Sequence, residues 1–278
     1  MYKKSLFTYV KDWVKNGVNK VRLSRASSHQ EIIIGGQLAV IVVCALLIGH
    51  LSMEVVEVSS TYGNRELPIY SVGITEKKIA ISFDAAWGAE DFNQIMEVLD
   101  KHQVKTTFFM TGEWVEKYPE CVKTLVEKGH DLGNHSASHP DMTKLSKSQI
   151  REELTTNIKL IEELTGFTPK LFRPPYGYYN NNLIEVCDDL GLSCIEWSVD
   201  SLDWKGLTAG EIANRVTSKI RKGSIVLFHN NSDNILDGLK MVLEYFKCNK
   251  MQVVPIGKLI YYNNFTINNQ GEQIKEDI

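Results

Sequence analysis

The order of apolar and polar positions divides the chain into three kinds of sequence. Residues 32–51 form a run of 20 without a single Asp, Glu, Lys or Arg. At about 1.5 Å rise per residue this run is long enough to cross the roughly 30 Å hydrocarbon core of a bilayer as one helix. Residues 52–76 are mixed and polar, the pattern of a connector. Beyond them, short apolar runs alternate with segments whose apolar residues recur three and four apart, as strands alternating with amphipathic helices do.

The β-type runs are 79–83, 106–110, 131–134, 170–172, 193–199, 224–228 and 252–254. Between them, Phe92, Ile95 and Leu99 fall on one helical face, and Pro119 opens a helix carrying Val122, Leu125 and Val126, with Gly129 at its end. Ser146 with Gln149 reads as a capping box before a long helix with Ile150, Leu154, Ile158 and Ile161 on one face, stopped by Gly166. Thr208 with Glu211 repeats the device before Ile212, Val216 and Ile220. Strands joined by crossover helices imply an α/β domain with a parallel sheet, either open and doubly wound or a TIM-like barrel. No G-x-G-x-x-G and no phosphate-binding G-x-x-x-x-G-K-[ST] occurs, so the nucleotide-binding variants lose support. Residues 263–278 read as a polar, loose tail.

Charge sharpens the division. The 278 residues carry a formal −3, which argues against a nucleic-acid binder. Yet the first 30 hold seven basic residues and one acid, which leaves 24 basic and 33 acidic residues beyond them: +6 over residues 1–30 and −9 over the rest. The positive-inside rule then reads 1–31 as a cytoplasmic leader and 32–51 as a signal anchor. That makes a single-pass type II membrane protein with its bulk on the extracytoplasmic side. A cleaved signal peptide or a buried core helix are the alternatives. Of the five cysteines, Cys44 lies in the apolar run, and Cys121, Cys187, Cys194 and Cys248 show no metal-type spacing and read as small buried hydrophobes.

Chemistry gathers where the predicted strands end: Asp84, then His135 and His139, then Arg173, then Asp200 and Asp203, then His229. In a parallel barrel these ends share one face, where barrel enzymes place their active sites. Two imidazoles four residues apart suit one divalent ion if the segment turns like a helix. Asp84 and His229 are candidates for proton transfer, Asp203 for holding an imidazole tautomer, and Arg173 for clamping a carboxylate such as Asp84. His29, His50, His102 and His130 have no comparable setting.

Five blocks together resemble the polysaccharide deacetylases of carbohydrate esterase family four, over residues 77–258: 82–88 (SFDAAWG), 135–139 (HSASH), 173–177 (RPPYG), 200–204 (DSLDW) and 227–229 (LFH). The resemblance implies a distorted (β/α)7 barrel over 77–262, preceded by one transmembrane helix. It looks most like the membrane-anchored branch linked with sporulation. It implies Asp84 as the base that activates water, His135 and His139 as ligands of a divalent metal of the zinc type, and Arg173 orienting Asp84. Tyr176 would donate its backbone N–H to the oxyanion, His229 would be the general acid, Asp203 would tune it, and Trp204 and Leu227 would line the acetyl pocket. The expected activity is removal of N-acetyl groups from a cell-wall glycan met outside the membrane, with O-deacetylation sharing the chemistry. One position departs: where the family carries a second Asp as metal ligand stands Ala85. Asp84, Glu90 or Asp91 would then have to substitute, or the protein is a silent envelope protein that binds glycan.

Overall fold

The computed structural model describes residues 65–276, which belong to one compact unit beginning at Arg65. The expected leader, anchor and first half of the connector lie outside the described residues. Among the described residues no helix is long and apolar enough to cross a membrane.

The elements in order are β1 (Ser71–Gly73), β2 (Lys78–Ala85), α1 (Phe92–Lys101), β3 (Thr107–Met110), α2 (Gly112–Lys117), α3 (Pro119–Glu127), β4 (Asp131–Asn134), α4 (Lys147–Thr165), β5 (Leu171–Phe172), α5 (Asn181–Asp189), β6 (Ser193–Cys194), β7 (Val199–Asp200), α6 (Ala209–Thr217), β8 (Ile225–His229), α7 (Ile235–Cys248), β9 (Gln252–Val253), α8 (Ile256–Leu259), β10 (Phe265–Ile267) and β11 (Glu272–Lys275). The main sheet is parallel and curled, in the order β6-β5-β4-β3-β2-β8-β7, with β9 beside the start of β2. Both capping boxes form, at Ser146 before α4 and Thr208 before α6. Gly166 closes α4 in the left-handed region at φ 71°.

Strand β2 sets the layers. Its alternate residues Ile79, Ile81, Phe83 and Ala85 belong to the large apolar cluster under the helices, where Phe83 stacks on Phe108 and Phe228 at 4.8 and 5.8 Å. Fully burying each of the three larger side chains, Ile79, Ile81 and Phe83, is worth about 1.5–3 kcal/mol. The opposite parity carries Ala80, Ser82 and Asp84, so strand period 2 delivers the Asp84 carboxylate to the inner side at the C-terminal end.

Three expectations need correction. The single strand over 193–199 is two, β6 and β7, which lie at opposite ends of the sheet and do not pair. The barrel is therefore a half-barrel whose gap is bridged by residues 69–72: Ile69 N–H donates to Cys194 O, Glu196 N–H to Ile69 O, and Val72 N–H to Gly223 O, at 2.8–2.9 Å. Second, the described second half of the supposed connector, residues 65–76, and the described part of the tail, residues 263–276, are part of the domain. Ile69 and Val72 are buried, and β1 pairs parallel with β11, which pairs antiparallel with β10. The tail looked polar because its anchoring is polar: the buried Gln273 amide bonds the backbone of Tyr261 through both its oxygen and its nitrogen. Third, α6 ends at Thr217, so Ile220 packs on the core from outside the helix.

Candidate active site

The strand ends bring six of the expected side chains together in two couples and a pair. In the first couple, Arg173, directly after β5 and wholly buried, donates from Nη1 to Asp84 Oδ1 at 2.7 Å and from Nη2 to Glu196 O at 3.2 Å. Its guanidinium lies over the Phe109 ring at 4.1 Å and near Trp197 at 5.6 Å. Burial alone would push the Asp84 carboxyl up, but the positive neighbours Arg173, His135 and His229 outweigh it and hold the group below its ordinary value.

The second couple ends β8, whose His229 is the register partner of Asp84. His229 Nδ1 lies 2.7 Å from Asp203 Oδ1, and its backbone N–H donates to Asp203 Oδ2 at 2.7 Å. Trp204 N–H donates to Asp203 Oδ1 at 3.0 Å, so the buried carboxylate is held in one orientation. Because a carboxylate only accepts, the ring proton sits on Nδ1 and the remaining proton site is Nε2. Burial lowers the His229 pKa, but the Asp203 hydrogen bond and the charges of Asp203, Asp84 and Asp200 raise it by more, leaving it above normal. Asp84 and His229 are thus pushed in opposite directions, the acid toward its anion and the imidazole toward its cation.

The pair is His135 and His139, with ring centroids 4.9 Å apart. His135 Nδ1 lies 2.8 Å from Arg173 O, and since a carbonyl accepts, Nδ1 carries the proton and Nε2 is the free lone pair, 3.6 Å from Asp84 Oδ2. The Nδ1 of His139 is buried without a hydrogen-bond partner. Burial lowers both imidazole pKa values, that of His139 to about 4 with the charge of His135 adding to it, so both are neutral and able to ligate at neutral pH. Among the described residues, however, no three His, Cys, Asp or Glu side chains converge closely enough to hold an ion. Ala85 is fully buried in the apolar layer, and Glu90 bonds Ala89 N–H at 3.0 Å instead of approaching the pair. The donor set fits a divalent ion held by two imidazoles and water, not one enclosed by three protein ligands.

The remaining expected residues rim this centre. Leu227 is buried on β8, two residues before His229 and on its face of the strand. Tyr176 has a left-handed backbone at φ 62° and sets its ring edge-on to His139 at 4.6 Å, while Trp204 follows Asp203. Both rings are more than half exposed. Asp200 accepts Leu202 N–H at 2.8 Å and acts on the centre through its charge on His229. Sequence reasoning missed three neighbours. Trp87 is exposed and edge-on to His139 at 4.8 Å, and Tyr178 is exposed and next to Tyr176. Glu196 is buried behind Arg173, and burial pushes its carboxyl up to about 8 against the opposing charge of Arg173.

Comparison with known proteins fits this geometry. The family model described as polysaccharide deacetylase matches residues 72–195. An uncharacterized Bacillus subtilis protein, YlxY, is 34% identical over 65% of this chain and 56% of its own. The peptidoglycan-N-acetylglucosamine deacetylase of Bacillus cereus is 34% identical over 61% of this chain and 62% of its own. This chain thus matches less than two thirds of the length of either. The crystal structure of BA3943 of Bacillus anthracis, described as a CE4 family pseudoenzyme, superposes with a TM-score of 0.68 at 33% identity, covering 70% of this chain and 69% of that one. A mutant of BA3943 is described as having restored enzymatic activity. With this match in sequence and fold, and five motif blocks meeting at one end of a curled parallel sheet, the chain belongs to the polysaccharide deacetylase family, carbohydrate esterase family four.

Proposed function

We propose that the protein is a hydrolase that removes N-acetyl groups from the amino sugars of a cell-wall glycan of the peptidoglycan type. The observation that carries this reading is the pairing of an ionised carboxylate, Asp84, with a protonation-prone imidazole, His229, at adjacent strand ends. Two titratable groups driven apart by their surroundings are what an acid–base mechanism requires. In this reading Asp84 takes a proton from the attacking water, and Arg173 keeps Asp84 oriented and anionic. His229, charged and held through Nδ1 by Asp203, delivers the Nε2 proton to the departing amine. The Tyr176 backbone N–H faces the developing oxyanion, and Trp204 with Leu227 encloses the acetyl methyl. His135 and His139 would hold a divalent metal, which when bound polarises the amide carbonyl and lowers the pKa of water. The exposed rings of Trp87, Tyr176, Tyr178 and Trp204 around the centre suit the apolar faces of sugars. The name of the Bacillus cereus relative points to the same substrate class.

The uncharged run 32–51 and the charge step across it support an anchored enzyme whose domain meets the wall on the outer side of the membrane. A second reading, a catalytically silent glycan binder, is favoured by Ala85 and by the pseudoenzyme status given to BA3943. Acetate release from peptidoglycan and chitooligosaccharides, abolished in Asp84→Asn and His229→Ala, would establish the hydrolase. Glycan binding without release would leave the second reading.

A further inference from the structure

The loop that carries both imidazoles is held in a costly shape. Ser136 and His139 adopt left-handed backbones at φ 68° and 58°, each of which costs a non-glycine residue of order 1 kcal/mol. Two polar side chains one turn apart on α4 reach into this loop. Glu153 Oε2 accepts Ala137 N–H and Ser138 N–H, both at 2.9 Å, and Oε1 accepts the Ser138 hydroxyl at 2.7 Å. Asn157 Nδ2 lies 2.7 Å from Met110 O, 2.9 Å from Ser136 O and 3.0 Å from Asn134 Oδ1, so three acceptors share its two hydrogens. Asn134 Oδ1 also accepts Ser136 N–H at 2.8 Å, and Ser136 Oγ accepts His139 N–H at 2.9 Å.

Asn157 sits, fully buried, on the face that otherwise presents Ile150, Leu154 and Ile161, and its Oδ1 has no partner. A leucine would continue that apolar face, whereas an unsatisfied buried amide oxygen costs about 1–3 kcal/mol. The amide is accounted for by the loop it holds.

We propose that Glu153 and Asn157 are positioning residues that fix the mutual geometry of His135 and His139 through the 135–139 loop. The metal consequence rests on the function proposed above, but the positioning itself does not. The test uses the full-length chain, in mild detergent, labelled with 15N-histidine. Imidazole spectra at one pH, zinc titration and thermal melting are compared for wild type, Glu153→Ala, Glu153→Gln, Asn157→Leu and the exposed control Glu152→Ala. The expected result is that Glu153→Ala shifts or broadens the His139 ring signals and weakens zinc binding about 10–100-fold, as loss of groups behind metal ligands does. Glu153→Gln should recover part of the loss, because one acceptor oxygen remains, and the control should match wild type. Unchanged His139 signals in both Glu153→Ala and Asn157→Leu, with only the melting temperature lowered, would overturn the proposal. If wild type takes up no zinc, the metal reading fails, and the ring spectra still decide the positioning.

Discussion

Replacing Asp203 with Asn tests the electrostatic coupling that the catalytic reading depends on. The carboxylate accepts from the His229 ring at 2.7 Å, from the His229 backbone at 2.7 Å and from Trp204 N–H at 3.0 Å, and its side chain is fully buried. Asn keeps the shape but removes the charge and half of the accepting capacity. A hydrogen bond to a charged group contributes about 1.5–3 kcal/mol net. Losing it should lower the protonation midpoint of His229. Stability should follow with a definite sign. The His229 pKa is raised in the folded protein, so its contribution is fully present below the unfolded value of about 6.5 and is lost as pH rises through the folded one. Asp203→Asn should therefore lower the melting temperature more at pH 6 than at pH 9, by roughly 3–12 °C at the acid end. NMR titration of the His229 ring and melts at the two pH values read both effects without requiring turnover. An unchanged or higher His229 midpoint, or equal destabilisation at both pH values, would refute the coupling.

Arg173→Met should cost about 3–5 kcal/mol in urea unfolding, because it strands the buried Asp84 carboxylate, and the Asp84→Asn/Arg173→Met double variant should cost less than the two singles combined. Ala85→Asp places a carboxyl in the buried apolar layer beneath the helices and should lower the melting temperature, whereas an unchanged melt would contradict the burial of that position. Gly223→Ala should destabilise the bridged gap by roughly 1–3 kcal/mol, since the glycine has φ +74° and a Cβ would lie 1.7 Å from Val72 O; wild-type stability would contradict the bridging role of residues 69–72.

The main sheet was readable from sequence because its strands are short buried runs set off by helices with strong start and stop signals, such as Ser146 and Gly166. What stayed hidden depends on pairing at a distance. The 193–199 run is uniformly β-like, and only the bridge from residues 69–72 determines that it divides at Glu196. The β1, β10 and β11 sheet escaped notice because its segments are brief and one of its key anchors is Gln273. Within the site, the motif residues announced themselves by falling at strand ends. Glu153 did not, because on an amphipathic helix a polar residue at the boundary of the apolar face reads as solvated. Asn157 alone left a trace: it occupies the i+3 position from Leu154 and the i−4 position from Ile161, an amide in the middle of an apolar stripe.

Acetate release by the full-length protein from peptidoglycan and chitooligosaccharides, followed with and without added zinc, tests the central claim most directly. The account predicts release that falls to background in both Asp84→Asn and His229→Ala. It also predicts a pH window reaching below the ordinary carboxylate range and above the ordinary imidazole value, because the Asp84 pKa is lowered and that of His229 raised. No release from any of these glycans at any pH, with glycan binding intact, would contradict it and leave the chain a silent member of its family.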